Sequence, residues 1–172
     1  MLEQPSLLLA PWSPGEHRCQ TGPNTPLPRW AVLEPATRQL LGLVRCRLRW
    51  EGTWFGWLDQ PVVEVFETVD ESFLFGMRRS WGWSRAWHVA DAEGRPVGSL
   101  RGPHMHGWQG ELLAIIEPAG EGRAGQWYGL DRQELGSFGP ADGGVVLQFA
   151  PELADGSPFL KMLLLASLLR VE

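Results

Sequence analysis

The sequence predicts a mainly β fold: a closed or nearly closed antiparallel barrel of about twelve strands around a buried hydrophobic C-terminal α-helix. Three observations predict it. Short runs rich in Val, Leu, Phe and Trp alternate with turn signals, a Trp-led hairpin unit recurs, and the last segment is apolar on nearly every side. A length of 172 residues suits one domain with a sizeable core.

Residues 1–28 hold Pro5, Pro11, Pro14, Pro23, Pro26 and Pro28 with Gly15 and Gly22. Proline lacks the amide proton that helices and central strands need, so this segment reads as an irregular N-terminal arm. The barrel domain is then residues 29–172. Within it, Glu34-Pro35-Ala36-Thr37, Glu93-Gly94-Arg95-Pro96, Pro118-Ala119-Gly120 and Ala141-Asp142-Gly143-Gly144 mark turns between the apolar runs.

Three of these strand pairs share a pattern. Trp30-Ala31-Val32-Leu33-Glu34 leads to Leu40-Leu41-Gly42. Trp87-His88-Val89-Ala90-Asp91 leads through Gly94 to Gly98, and Trp127-Tyr128-Gly129-Leu130-Asp131 leads to Leu135-Gly136. Each reads as a strand, a tight polar turn and a second strand that opens on a glycine, because acids and glycines suit Asx and left-handed turn geometry. Their unequal spacing argues against a solenoid or propeller of fixed period.

The chain closes with DGSPFLKMLLLASLLRVE. Ser157-Pro158 is a helix-start pair, with serine free to cap the first amides and proline at the first helical position. A helix over about 158–171 follows, and Lys161, Ser167 and Arg170 form no broad polar stripe on it. Such a helix must be buried all round. A bilayer span needs about 20 apolar residues, so this segment fits the inside of a barrel, and no transmembrane span is expected. Lys161, in the first turn, is expected to snorkel to the barrel mouth.

The formal charge of −5 excludes a global attraction to nucleic acid or anionic lipid, so any anion binding must be local. Cys19 and Cys46 are the two cysteines and stand in unrelated contexts, which excludes a disulfide framework or a CxxC site. The N-terminal Met1–Trp12 stretch carries an acid where a signal peptide needs positive charge. A cytoplasmic protein, peripheral to a membrane at most, is the expectation.

A barrel wrapped round a hydrophobic C-terminal helix, with units of the form Trp-x-Val-x-Asp-x-x-Gly-x-x-x-Gly, resembles the tubby C-terminal-like superfamily, which includes phospholipid scramblases and LURP-one-related proteins. The residues are Trp87, Val89, Asp91, Gly94 and Gly98, looser copies at Trp30 and Trp127, and Phe159 to Ala166. The resemblance covers roughly residues 29–172 and implies a twelve-stranded barrel around a central helix. It also implies phosphoinositide binding, as in tubby proteins, or calcium-linked lipid transport, as in scramblases. Calcium finds no support in the residues, since Asp91 and Glu93 beside Gly94 form a tight turn and not a loop with six or more oxygen ligands.

The candidate headgroup site is MRRSWGWSRAW, where Arg78, Arg79 and Arg85 stand among Trp81 and Trp83 as a cationic, aromatic rim suited to a lipid surface. The plainer expectation for this stretch is two strands whose alternate residues pack inward while the arginines face water. His104 and His106, with His88 as a third, are the weak candidates for zinc, but a solvated loop is the simpler reading. The acids Glu64, Glu67, Asp70 and Glu71 read as a solvated strand end. No nucleophile elbow, P-loop, dinucleotide fingerprint or HExxH occurs, so no enzyme activity and no cofactor is expected. The expected function is a non-catalytic lipid- or membrane-surface-binding module. The alternative is a soluble protein-interaction or scaffold domain without lipid activity.

Overall fold

The computed structural model describes residues 1–13, 27–49, 60–68, 71–80, 85–119, 124–153 and 156–170. Twelve strands follow one another: β1 (Ser6–Pro11), β2 (Pro28–Leu33), β3 (Leu40–Arg49), β4 (Gln60–Glu67), β5 (Phe73–Arg79) and β6 (Trp87–Asp91) form the first half. β7 (Pro96–Arg101), β8 (His104–Gly107), β9 (Leu112–Pro118), β10 (Gly125–Gly129), β11 (Glu134–Ala141) and β12 (Gly144–Phe149) form the second. A 3-10 turn at Pro151–Leu153 leads to α1 (Pro158–Leu168). Each strand pairs antiparallel with its chain neighbour, and β1 pairs with both β2 and β12, so the sheet closes into a barrel. Closure leaves no unpaired edge.

The first twenty-eight residues are not an irregular arm throughout. Leu7, Leu8 and Leu9 lie in β1, with Leu7 opposite Leu147 and Leu9 opposite Val145. Pro11 ends that strand and Pro28 opens β2, positions where a missing amide proton costs no interior ladder bond. Residues 14–26 lie outside the described residues.

Inward residues of the strands and the helix make one core. Val32, Val44, Val63, Val65, Phe75, Met77, Val89, Leu100, Met105, Trp127 and Leu147 surround Leu163, Leu164, Leu165 and Ala166. Lys161 to Ser167 are buried without a break, which is what an all-round apolar helix requires. Trp127 Nε1 donates to Ser167 Oγ at 3.0 Å, and Ser167 Oγ donates to the Leu164 carbonyl at 2.7 Å, so the helix is fixed in rotation against β10. At its end Arg170 donates to the carbonyls of Ser167 and Gly102, where a cation also suits the helix dipole.

Two helix details differ from the sequence reading. The Ser157 side chain makes no cap; its carbonyl accepts from Leu160 N and Lys161 N instead, while Pro158 still begins the helix. Lys161 does not snorkel to the mouth: it is 3% exposed, with Nζ donating to the Leu2 carbonyl at 3.0 Å and lying 5.7 Å from the Phe149 ring centroid. The N-terminal segment covers the place where the ammonium would otherwise have met water.

The three Trp-led units are the hairpins β2–β3, β6–β7 and β10–β11. In the middle one, Asp91 accepts from the Glu93 and Arg95 amides and from Arg95 Nε, and Gly94 takes φ +78°. The following glycine is a contact requirement. A methyl carbon at Gly98 would stand 2.2 Å from the His106 carbonyl oxygen and 3.2 Å from Leu163 of the central helix. Gly42 and Gly136 likewise face backbone carbonyls, of Phe66 and Gln148, closer than any Cβ tolerates.

Candidate functional site

Strand direction sorts the loops into two rims. The β5–β6, β7–β8, β9–β10 and β11–β12 connections lie at one end of the barrel with the C-terminus of α1; the β4–β5, β6–β7, β8–β9 and β10–β11 turns lie at the other with its N-terminus.

The arginines collect toward the first end. Arg29 opens β2, Arg47 and Arg49 close β3, Arg78 and Arg79 close β5, Arg85 precedes β6, Arg101 closes β7, and Arg170 follows the helix. Among the described residues the acids toward that end are Glu64, ion-paired with Arg47, Asp142, and Glu117, which Arg132 reaches from the β10–β11 turn. The other end carries Glu3, Glu34, Glu67, Glu71, Asp91, Glu93, Glu111, Asp131, Glu134 and Glu152 against Arg38, Arg95, Arg132 and the buried Lys161. Among the described residues charge is therefore uneven along the barrel axis, a property that the net charge of −5 conceals.

Cross-strand register aligns part of the basic end into a row on the outer wall. Arg47 pairs with Val62, Val62 with Arg78, Arg78 with His88, His88 with Ser99, and Ser99 with His106. Arg78 and His88 are exposed, and His88 Nε2 lies 2.8 Å from Ser80 Oγ. Arg47 is held by Glu64 of β4. Arg79 does not join this row: it alternates with Arg78 and shares the inward face of Phe75 and Met77, at the barrel mouth. Arg85 is exposed at φ +39° in the β5–β6 connection. Trp81 and Trp83 lie outside the described residues. The arginines of MRRSWGWSRAW thus share one rim but point from different faces of it.

The histidines make no three-ligand centre. His104 and His106 are neighbours on β8, ring centroids 6.4 Å apart, and His106 Nδ1 faces the Gly110 carbonyl at 3.2 Å. His88 is two strands away, across β7, roughly 10 Å by ordinary strand spacing. Among the described residues no three His, Cys, Asp or Glu side chains are placed to hold a metal ion.

The acids after Pro61 are paired rather than solvated. Glu64 binds Arg47, Glu67 accepts from the Met1 amino group at 2.6 Å, and Glu71 binds Arg45 at 3.4 Å. Asp70 lies outside the described residues. Arg45 is itself buried, its guanidinium 4.7 Å from the Phe66 ring centroid. Burial pushes the Cys46 thiol upward, with Arg29 opposing it, so no reactive thiolate is prepared there.

Sequence reasoning missed Arg29, Arg47, Arg101 and Arg170 as members of the basic end. They are far apart in the chain, and only their shared position at strand and helix termini of one polarity brings them together. It missed the opposite rim as well. Trp108, Leu130 and Phe159 are exposed by 65%, 66% and 46%, and all three belong to the acidic end. In the β8–β9 turn Gly107 N bonds to Glu111 O and Gly110 N to Gly107 O; in the β10–β11 turn Gly129 N bonds to Gln133 O and Arg132 N to Gly129 O. The two loops are the same structure, so Trp108 and Leu130 occupy equivalent tips.

No helix among the described residues is long and apolar enough to cross a membrane. Comparison with protein-family models, with curated proteins and with solved structures returns no match to this chain.

Proposed function

We propose that this barrel is a non-catalytic binding module that meets anionic phospholipid headgroups through its arginine-rich end. The observation that carries the reading is the segregation of charge along the barrel axis. A chain with net charge −5 holds Arg29, Arg47, Arg78, Arg79, Arg85, Arg101 and Arg170 toward one rim, with Glu64, Glu117 and Asp142 as the acids described there. Guanidinium groups bind phosphate through paired donors, and a basic surface near an anionic leaflet gains about 1 kcal/mol per Lys or Arg. The acidic end is repelled by the same surface, so the charge pattern also sets an orientation. The core supports a binding role for the outside of the barrel, because α1 occupies the interior where other barrels hold a ligand.

Membership of the tubby C-terminal-like superfamily belongs to the same proposal. It is supported by twelve antiparallel strands closed around a C-terminal helix and by the Trp87–Gly98 unit at a hairpin of that barrel. Residence in the cytoplasm, peripheral to a membrane, follows from the proposed partner.

Vesicle flotation tests the function. Purified protein should float with vesicles containing phosphatidylserine or phosphoinositide, lose binding as salt rises, and ignore neutral phosphatidylcholine. At about 1 kcal/mol each, Arg78→Gln with Arg101→Gln should weaken partitioning roughly thirtyfold. Equal binding to neutral and anionic vesicles, or a double variant that binds like the parent, refutes it.

A further inference from the structure

We propose a second interaction surface: the acidic rim docks the basic rim of another copy of this chain, so that barrels associate end to end. The inference shares the arginine-rich rim with the lipid reading but adds the opposite end of the molecule, and its test by sedimentation needs no lipid. Three features of that end carry it.

The first is exposed apolar surface in a repeated geometry. Trp108 and Leu130 stand at the tips of identical loops on neighbouring hairpins, and Phe159 lies in the first turn of α1 at the same end. Tryptophan is among the side chains enriched as anchors of protein interfaces. The second is a surface groove of about 390 Å³ between the β10–β11 turn and the chain leaving β12, edged by Gln133, Glu134, Gln148 and Glu152. Two exposed carboxylates on such a groove suit a guanidinium, which takes paired acceptors. The third is charge complementarity within the chain: the exposed arginines Arg78, Arg85 and Arg101 lie toward the other end of the same barrel.

A contact between two different patches of one molecule is heterologous and does not close by itself. The association it produces therefore has no fixed stoichiometry: average mass climbs steadily with concentration. Because the pairs are at exposed rims, salt weakens it.

Sedimentation velocity on the full chain tests this across the micromolar range at low and high salt. The expected result is a mass that rises with concentration at low salt and returns to the monomer at high salt. Glu134→Arg with Glu152→Arg should sediment as a monomer yet still float with anionic vesicles. Arg78→Glu with Arg101→Glu should also be monomeric, and an equimolar mixture of the two variants should recover a one-to-one complex through the surviving native surfaces. Trp108→Ser, which changes no charge, should weaken self-association by about tenfold. A parent chain that stays monomeric at low salt overturns the proposal. So does association that survives either charge reversal, and so does a mixture of the reversed variants that remains monomeric.

Discussion

Removing the Ser167 hydroxyl probes the packing of the central helix directly. Ser167 is 5% exposed and Trp127 fully buried; the indole N–H has the hydroxyl as its partner at 3.0 Å, and the hydroxyl passes its own proton to Leu164 O at 2.7 Å. Ser167→Ala leaves that N–H in an apolar interior without an acceptor, which costs about 1–3 kcal/mol. In a domain of this size each kcal/mol lowers Tm by about 2–4 °C, so a loss of roughly 2–12 °C is expected. Trp127→Phe removes the donor and a ring's worth of packing, and is destabilising by its own cavity. The informative quantity is the coupling. In a Trp127→Phe background the serine has no indole to serve, so Ser167→Ala should cost at least about 0.5 kcal/mol less than it does in the parent. The assay is urea unfolding followed by far-UV circular dichroism, which reports loss of the sheet. Equal cost of Ser167→Ala in both backgrounds would refute the threading of α1 with Ser167 against Trp127.

Two further outcomes follow from the hairpins. Gly98→Ala drives a methyl group into the His106 carbonyl oxygen, which is backbone and cannot swing aside, so a loss of at least about 1–3 kcal/mol is expected in the same unfolding assay. Asp91 sets an acid limb. Burial alone would raise its carboxyl, but the hydrogen bonds and charge of Arg95 prevail and hold it below the ordinary carboxylate range. Its contribution is thus complete above the unfolded value of about 3.9 and is lost as pH falls through the lower folded value. Asp91→Asn should lower stability at neutral pH and flatten the decline of Tm with falling pH below about 4; an unchanged acid limb would contradict this assignment.

Much of the architecture was legible because it depends on local rules. The Trp87–Gly98 unit reads as a hairpin from its acid, its turn glycine and its flanking apolar residues, and the structure supplies the reason for the second glycine. The length and all-round apolarity of Phe159–Leu169 point to a helix buried inside the barrel. Other features depend on partners far along the chain. β1 hides in a proline-rich segment because its two neighbours, β2 and β12, define it; Leu7 meets Leu147. Lys161 read as a snorkelling side chain because its acceptor, the Leu2 carbonyl, is 159 residues away.

The candidate site was legible by fragment. MRRSWGWSRAW marked three arginines by their density, and Arg78, Arg79 and Arg85 lie toward one end of the barrel. Arg29, Arg47, Arg101 and Arg170 had no such density, and belong to that end only because antiparallel strands return there. His88, His104 and His106 show the converse: proximity in sequence and in type did not survive register, since β7 separates His88 from the other two. Trp108 and Leu130 carry no shared sequence signal; their loops are equivalent only through the backbone hydrogen bonds of Gly107 and Gly129.

The orientation of the barrel on a membrane tests the central claim most directly. In a Cys19→Ser, Cys46→Ala background, a nitroxide label is placed at Ala119→Cys, in the β9–β10 connection of the basic end, or at Ala92→Cys, in the β6–β7 turn of the acidic end; both positions are exposed. On phosphatidylserine vesicles the Ala119 label should be shielded from an aqueous relaxation agent while the Ala92 label remains accessible. Shielding at Ala92 with Ala119 left open, or no difference between bound and free protein at either position, would contradict it.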